Sequence, residues 1–240
     1  MPHNSRVPLI KQVDVIAFDA DDTLWKNEEL FWEFKDEIKA LLGKYIPVDE
    51  AVLQHLDQQE VENIVHYGYG FKSYTLSMVE AVIHLTGGKV QPTDITVMLD
   101  IAKQKMDAET QLFMGVEETL MQLKGQIDMM LVTKGDSHEQ RRKIERSGLH
   151  RYFRWVEIVP RKDEGIYREI LEKYEISPQR FMMVGNSLRS DVLPVAAIGG
   201  RGVYIFNDTN WAHENELKPE WEGLLYEPLD SFLDLIPFLY

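Results

Sequence analysis

Cysteine is absent from the 240 residues. Disulfides and thiol chemistry are therefore excluded, and a cytoplasmic setting is the expectation. Basic residues are scarce: 26 Lys and Arg stand against 40 Asp and Glu, a formal net charge of −14. That balance argues against nucleic acid and anionic membrane surfaces as partners. No run approaches the roughly 20 apolar residues of a spanning helix. The opening Met1-Pro2-His3-Asn4-Ser5-Arg6 is not followed by the apolar stretch of a secretory signal. Internal repeats and low-complexity segments are also missing. A soluble protein is expected, and a hydrophobic content of 44% suffices for a sizeable core. It forms either one large domain or a core with a smaller inserted one. Nothing in the chain specifies an oligomeric state.

Against this background one stretch stands out, Val13-Asp14-Val15-Ile16-Ala17-Phe18-Asp19-Ala20-Asp21-Asp22-Thr23-Leu24-Trp25. It opens as a short apolar run rich in β-branched residues, the composition of a buried strand. Three carboxylates and a hydroxyl follow at once. Such a strand end places charge at the carboxyl edge of a sheet, where open α/β folds keep their ligands. Crowded carboxylates repel one another unless a cation or proton compensates. A metal site is the first expectation, and an acidic turn capping the next helix is the plainer alternative.

Residues 1–12 read as a polar, loose lead-in. From about 27 to 108 the pattern is nearly all helical. The apolar period of Leu30, Phe31, Phe34, Ile38, Leu41 and Leu42 stops at Gly43. A second helix follows Pro47-Val48-Asp49, with Val52, Leu53, Leu56, Ile64 and Val65 on its apolar side. Tyr67-Gly68-Tyr69-Gly70 breaks the chain before a third helix, closed by Gly87-Gly88, and a fourth begins near Pro92. After Gly115 the character changes, and short strands alternate with helices. Strands are expected at Ile127–Val132, Trp155–Val159, Phe181–Val184 and Val203–Phe206. Helices are expected around His138–Arg146, from Asp163 and from Leu188, with a short docked helix within 229–236. This alternation implies a parallel sheet with right-handed crossovers. The first strand belongs with that series by composition. The expected fold is therefore α/β, a Rossmann-like parallel sheet core of residues 1–25 and 111–240. An α-helical cap domain of residues 26–110 is inserted into it.

Polar groups end four of these strands in turn. They are Asp19-Ala20-Asp21-Asp22-Thr23, Thr133-Lys134-Gly135-Asp136, Pro160-Arg161-Lys162, and Gly185-Asn186-Ser187-Leu188-Arg189-Ser190-Asp191. A parallel sheet brings these ends to one edge. Thr133 as a strand-end cap, or Lys162 as a solvated lysine, is unremarkable alone. Four at consecutive strand ends form a cleft.

In these motifs, their order and their spacing, the chain resembles the haloacid dehalogenase-like hydrolase superfamily, whose members are mostly magnesium-dependent phosphatases. Asp19-x-Asp21-x-Thr23 is similar to the first motif, Thr133 to the second, Lys162 to the third and Gly185-Asn186…Asp191 to the fourth. Residues 26–110 fall where that family inserts a helical cap. The resemblance implies Mg²⁺ at Asp19, the Asp21 carbonyl, and Asn186 or Asp191. It also implies attack by Asp19 on phosphorus, acid/base work by Asp21, a Thr133 hydroxyl on a phosphoryl oxygen, and charge balance by Lys162. Asp22 is expected to cap or bond within its own loop. Asp21 favours phosphate esters over halides, since a halide needs no proton on leaving.

The chain departs from the family pattern at two positions. Asn186 stands where an Asp is usual, which lowers the charge offered to a hard cation. Lys134 stands where an Asn is common. The substrate is expected to be a small phosphorylated metabolite. Trp25 and Lys26 at the hinge, Tyr69 and Lys72 in the cap's glycine-flanked loop, and Lys134 are candidate contacts. For that loop, a plain helix–helix turn packed by aromatics is the alternative. Three other functions stay open: a phosphotransferase or mutase, a 2-haloacid dehalogenase-like hydrolase, and a non-catalytic phospholigand-binding protein.

Overall fold

A computed structural model describes residues 7–207 and 218–240. The first six residues of the expected lead-in lie outside them. Residues 7–12 are less loose than expected: a 3₁₀ turn, Leu9–Lys11, buries Ile10 in the core. By its contacts the described chain divides into two units. One comprises residues up to Lys26, 110–134 and those from 141 on. The other comprises 27–109 with 135–140.

The first unit is an α/β sandwich around a six-stranded, wholly parallel sheet of order β3-β2-β1-β4-β5-β6. The strands are β1 Val15–Phe18, β2 Asp128–Lys134, β3 Trp155–Val159, β4 Phe181–Gly185, β5 Arg201–Ile205 and β6 Glu227–Leu229. Alternate side chains of the central strands feed two separate cores. Ile16, Phe18, Met129, Leu131, Met182 and Val184 pack with helix α5, Val116–Leu123. Val15, Ala17, Met130, Val132, Phe181 and Met183 pack with helix α7, Glu164–Lys173. Burial on both faces explains why these strands read as unbroken apolar runs.

The edge strand β6 was not legible in the sequence. It has three residues and includes Pro228, which lacks a ladder donor and suits an edge. Leu229 therefore ends a strand and does not begin the tail helix. That helix is α9, Leu235–Leu239, preceded by a 3₁₀ turn whose Ser231 and Asp234 form a capping box. The helix expected from Leu188 is also altered. Leu188–Val192 forms a π turn, and helix α8, Leu193–Ala197, starts anew with Pro194 in its first turn.

The second unit is helical: α1 Glu28–Leu42, α2 Glu50–Tyr67, α3 Phe71–Leu85 and α4 Pro92–Met106. Asp49 caps α2 by accepting the Val52 N–H at 3.1 Å. Phe34, Ile38, Leu56, Phe71, Met78, Val82 and Met98 form its core. Val65 does not join it, being 81% exposed, because the apolar stripe of α2 fades in its last turns. Residues 135–140, the turn before helix α6 (Ser137–Ser147) and its first residues, cluster with this unit. Glu139 accepts the Phe71 N–H at 3.0 and 3.1 Å. Gly70, at φ +117°, leaves room for that carboxylate, since a Cβ there would lie 3.1 Å from Glu139 Oε2. No helix among the described residues is long and apolar enough to cross a membrane.

Candidate active site

β1 lies at the centre of the sheet, with Phe18 in register with Leu131 on one side and Val184 on the other. The chain winds outward to β3, then returns to place β4 against β1. This makes the β1–β4 crevice the topological switch point, where doubly wound sheets keep their ligands at the carboxyl ends. Asp19 follows β1 directly, and its N–H donates to the Val184 carbonyl at 2.9 Å.

The loop after β1 folds back on itself. The Leu24 N–H returns to the Ala20 carbonyl at 2.8 Å, and the Asp22 N–H donates to the Trp25 carbonyl at 2.7 Å. Asp22 takes φ +60°, a left-handed position that Asp tolerates better than most residues. Its carbonyl accepts from Asn207 Nδ2 at 2.8 Å. The turn brings Trp25 back beside Asp21, and the indole N–H donates to Asp21 Oδ1 at 2.6 Å. Trp25 is fully buried in the core and presents no surface to a ligand, which corrects its expected place among substrate contacts.

The carboxylates of Asp19 and Asp21 have different surroundings. Asp19 is buried and bonds the Lys162 ammonium through Oδ1. Its Oδ2 lies 3.0 Å from the Thr23 hydroxyl. Asp21 is half-buried and meets a different cation, Lys143 of α6, whose Nζ lies 2.9 and 2.8 Å from its two oxygens. Lys143 carries no mark in the sequence, because it ends a basic triplet, Arg141-Arg142-Lys143, in which nothing sets one residue apart from its neighbours.

Lys162 owes its place to the turn between β3 and α7. Asp163 caps α7 by accepting the Ile166 N–H at 2.9 Å, which fixes the residue before it. The ammonium is buried and bridges Asp19 and Asp191, with Asp191 Oδ1 at 2.7 Å. Burial by itself would pull Lys162 down, but the charges of Asp19 and Asp191 outweigh it and hold the lysine above its usual value. Asp191 is raised, first by burial and then by the charge of Asp19, against the opposing pull of Lys162. Two buried carboxylates thus share one ammonium, and the rise at Asp191 is the response to that crowding of negative charge.

The loop after β4 completes the cluster. Asp191 packs so closely on Gly185 that a Cβ there would lie 2.3 Å from Asp191 Oδ2, which demands glycine. Asp191 Oδ2 also accepts the Ser187 N–H at 3.1 Å. The Asn186 N–H donates to the Thr23 hydroxyl at 3.0 Å, and Asn186 Oδ1 lies 2.9 Å from the same hydroxyl. Thr133 is buried at the end of β2, beside Ile158 of β3. Lys134 donates to the Ser190 hydroxyl at 3.2 Å, and the Tyr167 hydroxyl donates to the Ser190 carbonyl at 3.0 Å. Lys26 is half-buried, and its N–H donates to the Gln111 carbonyl at 2.9 Å. Tyr69 and Lys72 belong to the helical unit, where the Lys72 ammonium lies 2.7 Å from Asp136 and holds that carboxyl below its usual value.

Asp19, Asp191, the Asn186 carboxamide oxygen and the backbone carbonyl of Asp21 are all hard oxygen donors. Oxygens of this kind suit a hard divalent cation, although among the described residues no group of three or more His, Cys, Asp or Glu is gathered to hold one.

Fold and site together define a class, a doubly wound α/β protein with paired carboxylates and a buried lysine at its switch point. Residues 13–199 match the haloacid dehalogenase-like hydrolase family, and the chain belongs to it. A haloacid dehalogenase-like family hydrolase from Xanthomonas campestris is similar in structure, at a TM-score of 0.82 and 32% identity over 95% of this chain and 96% of that one. A glyceraldehyde 3-phosphate phosphatase from Pyrococcus furiosus is 25% identical over 210 residues, 81% of each chain. A 2-haloacid dehalogenase from Pseudomonas syringae pv. tomato shares the fold at a TM-score of 0.62 and 16% identity, covering 95% of this chain and 98% of that one.

Proposed function

We propose that this hydrolase is a phosphatase acting on a small phosphorylated metabolite. The observation that carries the reading is the separate tethering of two carboxylates two residues apart, Asp19 on Lys162 and Asp21 on Lys143. Acids in unlike environments suit unlike roles. A dehalogenase uses the first of them and has no proton to deliver with the second. The resemblance to a glyceraldehyde 3-phosphate phosphatase supports the same choice.

In this reading Asp19 attacks phosphorus. A carboxylate–phosphorus bond forms, the ester P–O bond breaks, and Asp21 passes a proton to the departing alkoxide. Water then attacks the aspartyl phosphate and gives its proton to Asp21, and the bond to Asp19 breaks with release of inorganic phosphate. Lys162 balances the charge of Asp19 and the transferring group, and Thr133 donates its hydroxyl to a phosphoryl oxygen. Asp19, Asp191, Asn186 and the Asp21 carbonyl would hold a magnesium ion. Bound there, magnesium supplies neutralisation of phosphoryl charge. Lys26, Tyr69, Lys72 and Lys134 are proposed to bear on substrate choice. Replacing Tyr69 or Lys72 should then reorder a substrate panel, whereas a packing role would lower stability and leave the order intact.

The test is phosphate release from p-nitrophenyl phosphate and a panel of phosphorylated metabolites, with and without magnesium. Turnover that needs magnesium and vanishes in Asp19→Asn is expected. Metal-independent turnover of 2-haloacids, with no phosphate released, would overturn the proposal.

A further inference from the structure

We infer that Lys143 is a positioning residue for Asp21, which it holds together with the Trp25 indole so that the carboxyl reaches the leaving oxygen of the substrate. The inference rests on the phosphatase reading. Its grounds lie in the geometry of one side chain. Lys143 Nζ lies 2.9 Å from Asp21 Oδ1 and 2.8 Å from Oδ2, so a single ammonium straddles both oxygens. The Trp25 indole N–H adds a contact to Oδ1 at 2.6 Å. The side chains of Lys143 and Asp21 are only 16% and 20% exposed, so water competes weakly for these bonds. Donors from the loop itself and from a helix far along the chain therefore restrain the carboxylate's torsion from two directions.

This restraint has a chemical consequence. An acid that must reach a leaving oxygen loses its value quickly when it can swing away. Lys162 cannot serve here, because it is buried between Asp19 and Asp191. The chain thus supplies one cation for the nucleophile and a separate one for the acid/base.

Leaving-group dependence of kcat/KM distinguishes this role from a structural one. That ratio reports the first chemical step, in which Asp21 donates its proton. An alkyl phosphate needs the proton, whereas p-nitrophenyl phosphate, with its acidic phenol, barely does. In Lys143→Met, kcat/KM on an alkyl phosphate should fall about 10²-fold or more, within the range of a positioned acid/base. On p-nitrophenyl phosphate it should stay within about threefold, which also reports a folded site. Lys143→Arg should recover most of the loss, and Trp25→Phe should show the same selectivity with a smaller loss. An equal fall for both leaving groups, or none for either, overturns the role of Lys143 while leaving the phosphatase reading in place. Absence of wild-type turnover on every phosphate ester overturns that reading and the inference with it.

Discussion

The Asn186 N–H donates to the Thr23 hydroxyl at 3.0 Å, which joins the loop after β4 to the loop after β1 across the switch point. The same hydroxyl lies within 2.9 Å of Asn186 Oδ1 and 3.0 Å of Asp19 Oδ2. One hydroxyl proton is divided between two acceptors there, so its bond to the Asn186 oxygen is one that a hard cation can outcompete. Replacing that amide by a carboxylate adds a full charge to a hard-donor set. Asn186→Asp should bind magnesium about tenfold more tightly, because the affinity of a hard-cation site rises with the charge of its ligands. Calorimetric titration checks this, and an unchanged affinity would show that Asn186 is not a donor.

Lys162 makes a second prediction because its ammonium is the counter-charge for two buried acids. Removing one partner of a buried ion cluster leaves charge uncompensated and costs about 3–5 kcal/mol. Lys162→Met should lose that much stability in urea unfolding without magnesium. Lys162→Met combined with Asp191→Asn should lose distinctly less, since one orphaned charge is gone. Equal losses would mean that packing and not charge accounts for the effect.

These two clusters also mark how far the sequence could be read. The apolar runs of β1, β2 and β4 were legible because they are buried on both faces, and the acids that follow them must then stand at one edge. The helix expected from Asp163 is α7, with Asp163 as its N-cap and Lys162 just ahead of it. Lys143 was not legible, because its meaning depends on which face of α6 meets Asp21. Trp25 misleads for a similar reason. Its backbone pairs with Asp21 and Leu112, which turns the ring into the core. Three-residue β6 carries too little period to register, and the π turn at Leu188–Val192 depends on the Ser187 hydroxyl accepting the Ser190 N–H at 2.9 Å.

Gly70 yields a third prediction, confined to the helical unit. Its φ of +117° lies outside the backbone range that an L side chain enjoys, and a Cβ would press on Glu139 Oε2. Gly70→Ala should cost about 1–3 kcal/mol, the usual scale of such strain. Relief should come from Gly70→Ala combined with Glu139→Ala only in the part due to crowding. The strain in φ persists in the double variant. Thermal unfolding of the wild type, both single variants and the double variant separates the two contributions, since Glu139→Ala alone accounts for the lost Phe71 N–H bonds.

Glu60 of α2 gives the last prediction, one in pH. Burial pushes its carboxyl up from 4.5 to about 7, with the charge of Asp57 adding to the effect and Lys35 opposing it. Lys35 is itself engaged by Asp57, which weakens its help. A carboxyl raised in the folded state keeps its proton on folding and resists ionisation. Below about pH 4.5 the folded and unfolded forms are both protonated, so no penalty exists. Between 4.5 and about 7 the unfolded chain gives up the proton first, and stability falls as pH rises. Above about 7 the penalty is complete. Glu60→Gln removes the charge and keeps the shape, so it should be more stable than the wild type at pH 8 by about 1–3 kcal/mol, because a tenfold change in acidity corresponds to about 1.4 kcal/mol. At pH 5 the advantage should shrink to a small fraction of that. Urea unfolding at the two pH values decides the matter, and a pH-independent difference would show that Glu60 acts through its packing and not through its charge.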